Sequence, residues 1–272
     1  MARELAIRIV GGLVYAPISF LMFYWGGIPL LLEAAVAAII GVSELFRMMS
    51  RAGYRPFYAV GIATGVLLVC DAHAQWHAAT WVLAGSVMFA LARMIATEWQ
   101  AHERTGEARR QLLNDWLITL FGASYVGGLI SFGILIRALP NGWALSLFAI
   151  LGTAASDIFA YLIGRMWGRH KLVPAISPKK TIEGAIGGLV FSTLTGWLVG
   201  QWFALPLAPA AILGLLIGGV SIAGDLGESV LKRCAGVKDA GAWIPGQGGL
   251  LDVIDGFLFA LPVVYVFGVF VF

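Results

Sequence analysis

Charge is the scarcest ingredient of this chain. Only 12% of its 272 residues are Asp, Glu, Lys or Arg, while 60% are hydrophobic. An ordinary soluble domain carries about 25% charged residues, so a water-soluble globular class is excluded. Cysteine is nearly absent: Cys70 and Cys234 stand alone, with no Cys-x-x-Cys pair to suggest a zinc or redox motif. Basic patches with interleaved aromatics are also missing. The sequence pI is near 9.0 but the net charge is only +3, which argues against a nucleic-acid partner and fits a charge bias set by membrane topology. There is no short-period repeat, and no pair of spans reads as an inverted repeat of broken helices. Arg3 and Arg8 precede the first apolar stretch, as in a signal peptide, but no clear small-residue cleavage site follows. That stretch is read as a retained first helix.

What the chain has instead is apolar length. Runs of about 18 residues or more recur, each long enough to cross a bilayer core. They predict an all-α polytopic membrane protein with about nine transmembrane helices and a cytoplasmic N-terminus. The expected spans are roughly 5–24, 28–46, 57–71, 80–96, 116–136, 143–163, 181–200, 208–223 and 256–272. They must be helical because backbone groups in lipid can find partners only within the segment. With the N-terminus and the longer polar loops near 47–56, 97–115, 164–180 and 224–255 placed inside, 17 of the 18 Lys and Arg residues lie at the cytoplasmic face, and only Arg137 lies outside. This topology sets Cys70 and Cys234 on opposite sides, which forbids a disulfide. Trp25, Trp81, Trp99, Trp116 and Trp143 fall at expected span ends, as an interfacial belt requires. The chain divides by content into N-terminal helices, 1–140, that form a scaffold, and a region, 141–272, that holds most polar residues of interest and a cytoplasmic-face active site.

Three segments concentrate chemistry, and all three meet the cytoplasmic face. In "SDIFAYLIGRMWGRHKL", Asp157 lies inside the sixth span, where a charge is paired or functional. Tyr161 and Arg165 follow on the same helix face, so a helix-locking Asp–Arg or Asp–Tyr pair is the bland alternative. In "ISPKKTIEGAIGG", Lys179 and Lys180 are expected to enter the next helix, with Thr181 or Ser177 as its cap and Glu183 in its first turn. Two lysines at a helix N-terminus suit a phosphate, and equally suit snorkelling at a membrane edge. The third segment is "GDLGESVLKRCAGVKDAGAWIPGQGGLLDVIDG". If the eighth helix continues through its start, Asp225, Glu228, Ser229 and Lys232 share one face. Lys238 and Asp239 follow in the loop, and Gly246, Gly248 and Gly249 let backbone amides approach a ligand. Asp252 and Asp255 share a face at the start of the ninth helix. Carboxylates in this number, without His or Cys partners, suit a hard cation such as Mg2+, whose remaining ligands come from phosphates and water. Acid, base and glycine at a membrane edge point to phosphoryl-type chemistry on a lipid. Elsewhere, Glu33 reads as a packed or rim residue, the outer "DAHAQWH" as an interfacial loop rather than a metal site of Asp71, His73 and His77, and "EWQAHERTGEARRQ" as a solvated cytoplasmic helix.

These segments together resemble the phosphatidate cytidylyltransferase, or CDP-diacylglycerol synthase, family over roughly residues 150–260. The resemblance is carried by Ser229, Leu231, Lys232, Arg233, Lys238, Asp239, Gly241, Ile244, Pro245, Gly248, Gly249, Asp252, Ile254 and Asp255, and upstream by "SPKKTIEG", "GDLGES" and the Ser156–Asp157 segment. Gln247 stands where the family has His, and cannot carry a proton at neutral pH. Val253 stands where it has Arg, which removes a charge beside Asp252. The resemblance implies transfer of CMP from CTP to phosphatidic acid, giving CDP-diacylglycerol and pyrophosphate. It implies Mg2+ held by Asp225, Asp252 and Asp255 with Glu228 and Asp157 contributing, a second cation such as K+, and a homodimer. Lys179, Lys180, Lys232, Arg233 and Lys238 would grip phosphates, with Ser177, Thr181, Ser229, Asp239, Gln247 and the glycines at 246, 248 and 249 completing the substrate site. The implied partners are CTP, phosphatidic acid and membrane lipids, in a bacterial inner membrane. Three other readings compete: a CTP-dependent lipid kinase, an inactive paralogue of the same fold, and an ion-coupled transporter with Asp157 and Glu33 on its path.

Overall fold

The computed structural model describes residues 17–100, 105–241 and 248–272. It is built almost wholly of helices, which satisfy their own backbone groups in lipid. After a helical stretch at 17–25, the elements are α1 (Gly27–Arg51), α2 (Tyr58–Ala74), α3 (Ala79–Gln100), α4 (Gly106–Ala138), α5 (Gly142–Trp167), β1 (Lys171–Val173), β2 (Ser177–Thr181), α6 (Ile182–Trp202), α7 (Leu207–Cys234) and α8 (Leu251–Phe270). Among the described residues seven helices are long and apolar enough to cross a bilayer, and α2, at 17 residues, is a shorter apolar one. The second to ninth expected spans each coincide with one of these helices. The first, 5–24, lies largely outside the described residues, as do Arg3 and Arg8.

Two apolar clusters hold the bundle together. One joins Leu30, Val42, Leu45 and Phe46 of α1 to Val126 and Ile130 of α4 and to Leu251, Ile254 and Leu258 of α8. The other joins Ile136 of α4, Leu145 and Phe148 of α5, Leu213 and Ile217 of α7 and Leu261 and Val264 of α8. The outward side chains are as apolar as the inward ones: Leu32, Val36, Met88, Ile95, Val190 and Phe270 are all exposed, which is the surface lipid requires. Lipid supplies no hydrophobic drive between helices, so close backbone contact must do the work. Gly196 of α6 faces Gly214 of α7 so closely that a Cβ on Gly196 would stand 2.8 Å from the Gly214 Cα, and Ser192 Oγ donates to the Gly214 carbonyl at 2.7 Å.

The connections show where the expectations hold and where they do not. Arg137 donates from Nε to the Phe23 carbonyl at 2.9 Å and from Nη2 to the Tyr24 carbonyl at 3.1 Å, closing the C-terminal end of the stretch at 17–25 with a cation, as a helix C-terminus favours. The "DAHAQWH" stretch is not all loop. Asp71 and His73 belong to α2, which ends at Ala74, and Asp71 Oδ1 accepts the Ala78 amide at 2.8 Å. His77 lies beyond that helix with φ 55°, so the two histidines do not share a helical face.

The largest correction concerns "SPKK". Lys179 and Lys180 do not enter a helix; they lie in β2, which pairs antiparallel with β1 through Lys171–Thr181 and Val173–Ser177. The cause is local. Pro178 holds Ser177 extended, and Thr181, at φ −125° and ψ 154°, takes the N-cap and accepts the Gly184 amide at 3.1 Å, which starts α6 after the lysines. Glu183 in the first turn reaches back to the hairpin: its carboxylate accepts the Arg169 and His170 amides and meets His170 Nδ1 at 2.6 Å. Arg233 Nε ties the hairpin to α7 through the Ile176 carbonyl at 3.3 Å.

Candidate active site

The strand geometry decides where the two lysines go. Side chains alternate along a strand, so Lys179 stays exposed while Lys180 turns inward, its ammonium 2.5 Å from Asp225 Oδ2. The Asp225 helix continues unbroken to Cys234, as the third segment requires, and brings Glu228 and Lys232 round on the same side. Glu228 is fully buried and ion-pairs with Lys232 through Oε2. The Lys232 ammonium also donates to Asp252 Oδ1 at 2.8 Å. One lysine therefore links α7 to the first turn of α8.

Asp252 is fully engaged by protein. Its Oδ1 takes Lys232, and its Oδ2 accepts the Ala240 amide at 2.8 Å and the Gly249 amide at 2.7 Å. Ala240 and Gly249 are therefore both held by this one carboxylate. Gly248 has φ +104°, a conformation open to glycine and strained for other residues. Asp255, one turn further along, is buried, and Oδ1 takes the amide of the next residue, Gly256, at 2.6 Å. Asp157 on α5 accepts from Ser221 Oγ of α7 at 3.2 Å. Its helix-face neighbours do not pair with it, because Arg165 donates to the Tyr161 hydroxyl at 2.9 Å on an exposed face.

Several of these side chains open onto one cavity of about 1260 Å³. Asp157, Lys179, Asp225, Lys232, Lys238, Asp239, Gly248, Asp252 and Asp255 line its polar part, with Val253 among them. Its other part runs between helices past Ile130, Ile134, Ile150, Ile158 and Leu258, and reaches Glu33, whose Oε1 accepts from Ser19 Oγ. Glu33 is thus cavity-lining as well as packed. Of the other expected site residues, Ser177 pairs within the hairpin, Thr181 caps α6, Ser229 sits half-buried on α7, and Arg233 points to the hairpin. Gly249 is buried with its amide committed to Asp252. Gly246 and Gln247 lie outside the described residues.

The sequence reading missed Glu44. It is wholly buried in α1 and accepts the Leu250 amide through Oε1 at 3.0 Å and the Leu251 amide through Oε2 at 2.8 Å. The one available signal was a lone acid in a long apolar run, which lipid does not tolerate without a partner.

The chemistry of the donor set fits a hard divalent cation. Asp157, Asp225, Glu228 and Asp255 act electrostatically on one another. With Asp252 they are five carboxyls, whose ion pairs among the described residues are with two ammoniums, Lys180 and Lys232, while Lys179 and Lys238 line the same cavity. Glu228 Oε1 is buried without a hydrogen-bond partner among the described residues. An uncompensated carboxylate costs several kcal/mol in such surroundings, and a cation relieves it. The oxygens are not gathered into a finished ligand cluster: among the described residues no three such side chains converge at metal-binding spacing. Lys180 and Lys232 stand between them.

Comparison with known proteins agrees with this geometry. The model of the cytidylyltransferase family matches residues 6–271. The chain is 30% identical to a phosphatidate cytidylyltransferase of Synechocystis sp., over 96% of this chain and 95% of that protein. It is 34% identical to one of Staphylococcus aureus strain COL, over 93% and 94%, and 33% identical to one of Mycobacterium bovis, over 94% and 85%. A family match across nearly the whole length places the chain: it belongs to the cytidylyltransferase family.

Proposed function

We propose that this protein is a phosphatidate cytidylyltransferase of the bacterial inner membrane, with its site facing the cytoplasm. The observation that carries the reading is the cavity's division into a part lined by lysines and carboxylates and a part lined by apolar side chains. The first suits a nucleoside triphosphate and a phosphate headgroup; the second suits acyl chains that never leave the bilayer. An oxygen of the phosphatidic acid phosphate attacks the α-phosphorus of CTP, the bond from that phosphorus to the bridging oxygen breaks, and pyrophosphate leaves. CDP-diacylglycerol is the lipid product. The protein's task is to place two anionic reactants and neutralise them.

Lys179 and Lys238 at the cavity mouth meet the incoming phosphates. Lys232, now paired with Glu228 and Asp252, holds them deeper in, and Lys180 stands behind Asp225, with which it pairs. Asp225 and Asp255, with Asp157 and Glu228 beside them, would hold Mg2+. When bound, that ion supplies charge neutralisation at the phosphoryl oxygens. Asp252 keeps Lys232, Ala240 and Gly249 in place from within. The 17-to-1 distribution of basic residues supports the cytoplasmic orientation, and CTP is a cytosolic reactant.

The test is a product assay on purified protein in detergent with CTP labelled in the cytosine ring, phosphatidic acid and Mg2+. Labelled lipid with an equal amount of pyrophosphate is expected. Unlabelled phosphorylated lipid with release of CDP would replace the reading with a CTP-dependent kinase. Absence of any product would overturn catalysis and leave an inactive paralogue.

A further inference from the structure

Glu44 lies in α1, far in sequence from every motif of the site, and the reaction as described uses it nowhere. Its side chain is completely buried, and a carboxylate in that position is tolerable only if hydrogen bonds replace its lost water. It finds them 206 and 207 residues away, in the Leu250 and Leu251 amides that open α8, two of the amides a helix start leaves without an internal partner. The same carboxylate fills the space beside two glycines. A Cβ on Gly249 would stand 2.5 Å from both of its oxygens, and a Cβ on Gly241 would also strike it. Gly241 and Gly249 flank the glycine-rich loop. One acid from the N-terminal half therefore fixes both ends of that loop and the first turn of α8, which carries Asp252 and, one turn on, Asp255.

We infer that Glu44 is a positioning residue for the transfer reaction: it sets Gly241, Gly249 and the start of α8 in register, so that Asp252 holds Lys232 and Asp255 stands near Asp225. The inference rests on the proposed function. A buried acid with a purely structural role would lower stability and leave the turnover of each folded molecule unchanged. A positioning residue changes turnover in molecules that remain folded.

The experiment compares wild type with E44Q, E44A, G249A and the E44A/G249A double variant, each purified in detergent. E44A is expected to lower kcat per folded molecule on the order of 10²-fold, the scale of a misplacement of about 1 Å, with KM for CTP changed far less. E44Q keeps one acceptor oxygen and should lose about tenfold. Hydrogen exchange should quicken at the Leu250 and Leu251 amides in E44A while peptides of α6 stay protected. G249A alone should be impaired, but should cost nothing further in the E44A background, because the carboxylate it strikes is gone. Wild-type kcat in E44A, unchanged exchange at Leu250 and Leu251, or independent effects of the two substitutions would each overturn the inference. If E44A does not fold, E44Q carries the same kcat and exchange test. Should wild type form no CDP-diacylglycerol, the functional reading fails by itself. Exchange and the coupling of G249A to E44A, read as melting temperature, still decide whether Glu44 sets the loop.

Discussion

The two halves of the bundle treat their carboxylates differently. In α1–α4 the carboxylates of Glu44 and Asp115 are each closed off by two donors. Thr64 and Ser86 hydroxyls meet at 2.8 Å, and Ser86 also bonds its own helix. Asp115 accepts the Arg55 amide at 2.7 Å and Gln111 Nε2 at 3.0 Å, and Thr119 back-bonds to the Asp115 carbonyl. Glu33 Oε2, Trp116 Nε1 and the Tyr125 hydroxyl are buried there without a hydrogen-bond partner among the described residues. In α5–α8 the acids crowd together and, among the described residues, outnumber the lysines that pair with them. Buried polar groups that serve folding are satisfied. A cluster left short of positive charge is held there at a cost in stability and is built to meet something the protein itself does not supply.

The sharpest way to break that contrast is to remove charge from each half in turn. Asp225→Asn or Asp255→Asn should lower CDP-diacylglycerol formation by at least about 10³-fold, and so should chelation of Mg2+ in wild type. The melting temperature of Asp255→Asn should stay level or rise, because a repulsive charge has gone, whereas that of Asp225→Asn should fall, because Lys180 loses its ion-pair partner. A fall in melting temperature for Asp255→Asn alongside the loss of turnover would place that acid with the satisfied group instead. Lys232→Met is the next largest change. It strips the partner from Glu228 and Asp252 together and should cost about 3 kcal/mol of stability, as well as turnover, in denaturant titrations run beside the assay.

In the N-terminal half the expected signs reverse. Asp115→Ala should cost about 1–2 kcal/mol by orphaning the Arg55 amide, while turnover per folded molecule stays at the wild-type value. Thr181→Ala, at the junction of the halves' chemistry, removes a helix cap worth about 1 kcal/mol. Because Thr181 follows Lys180 directly, a small fall in kcat/KM for CTP should accompany it, measurable in the product assay.

The legibility of the sequence follows the same division of physics. Apolar runs announce spans, because a bilayer demands length and nothing subtler, so α1 to α8 stand close to where hydropathy puts them. The hairpin did not announce itself: β1 is three residues and β2 five, both within a polar loop, and two strands that short show no usable period. Missing it misplaced Lys179 and Lys180, since a helix would have put both on neighbouring faces and a strand sends them apart. Asp252 was legible by its place in a motif, yet its partners were not. Two of the three are backbone amides, which carry no letter in a sequence. Glu44 was hidden for a related reason, because its meaning lies in two amides more than 200 residues away.

That separation has a consequence for how the molecule is made. Glu44 enters the bilayer with α1, but the amides that satisfy it do not exist until α8 is synthesised. At synthesis rates of about 5 to 20 residues per second, the interval across 206 residues is roughly 10 to 40 s. Throughout that time the nascent chain carries an acid whose two amide partners have yet to be made. The arrival of α8 relieves it, so the same docking step that satisfies Glu44 also brings Gly249 against its carboxylate.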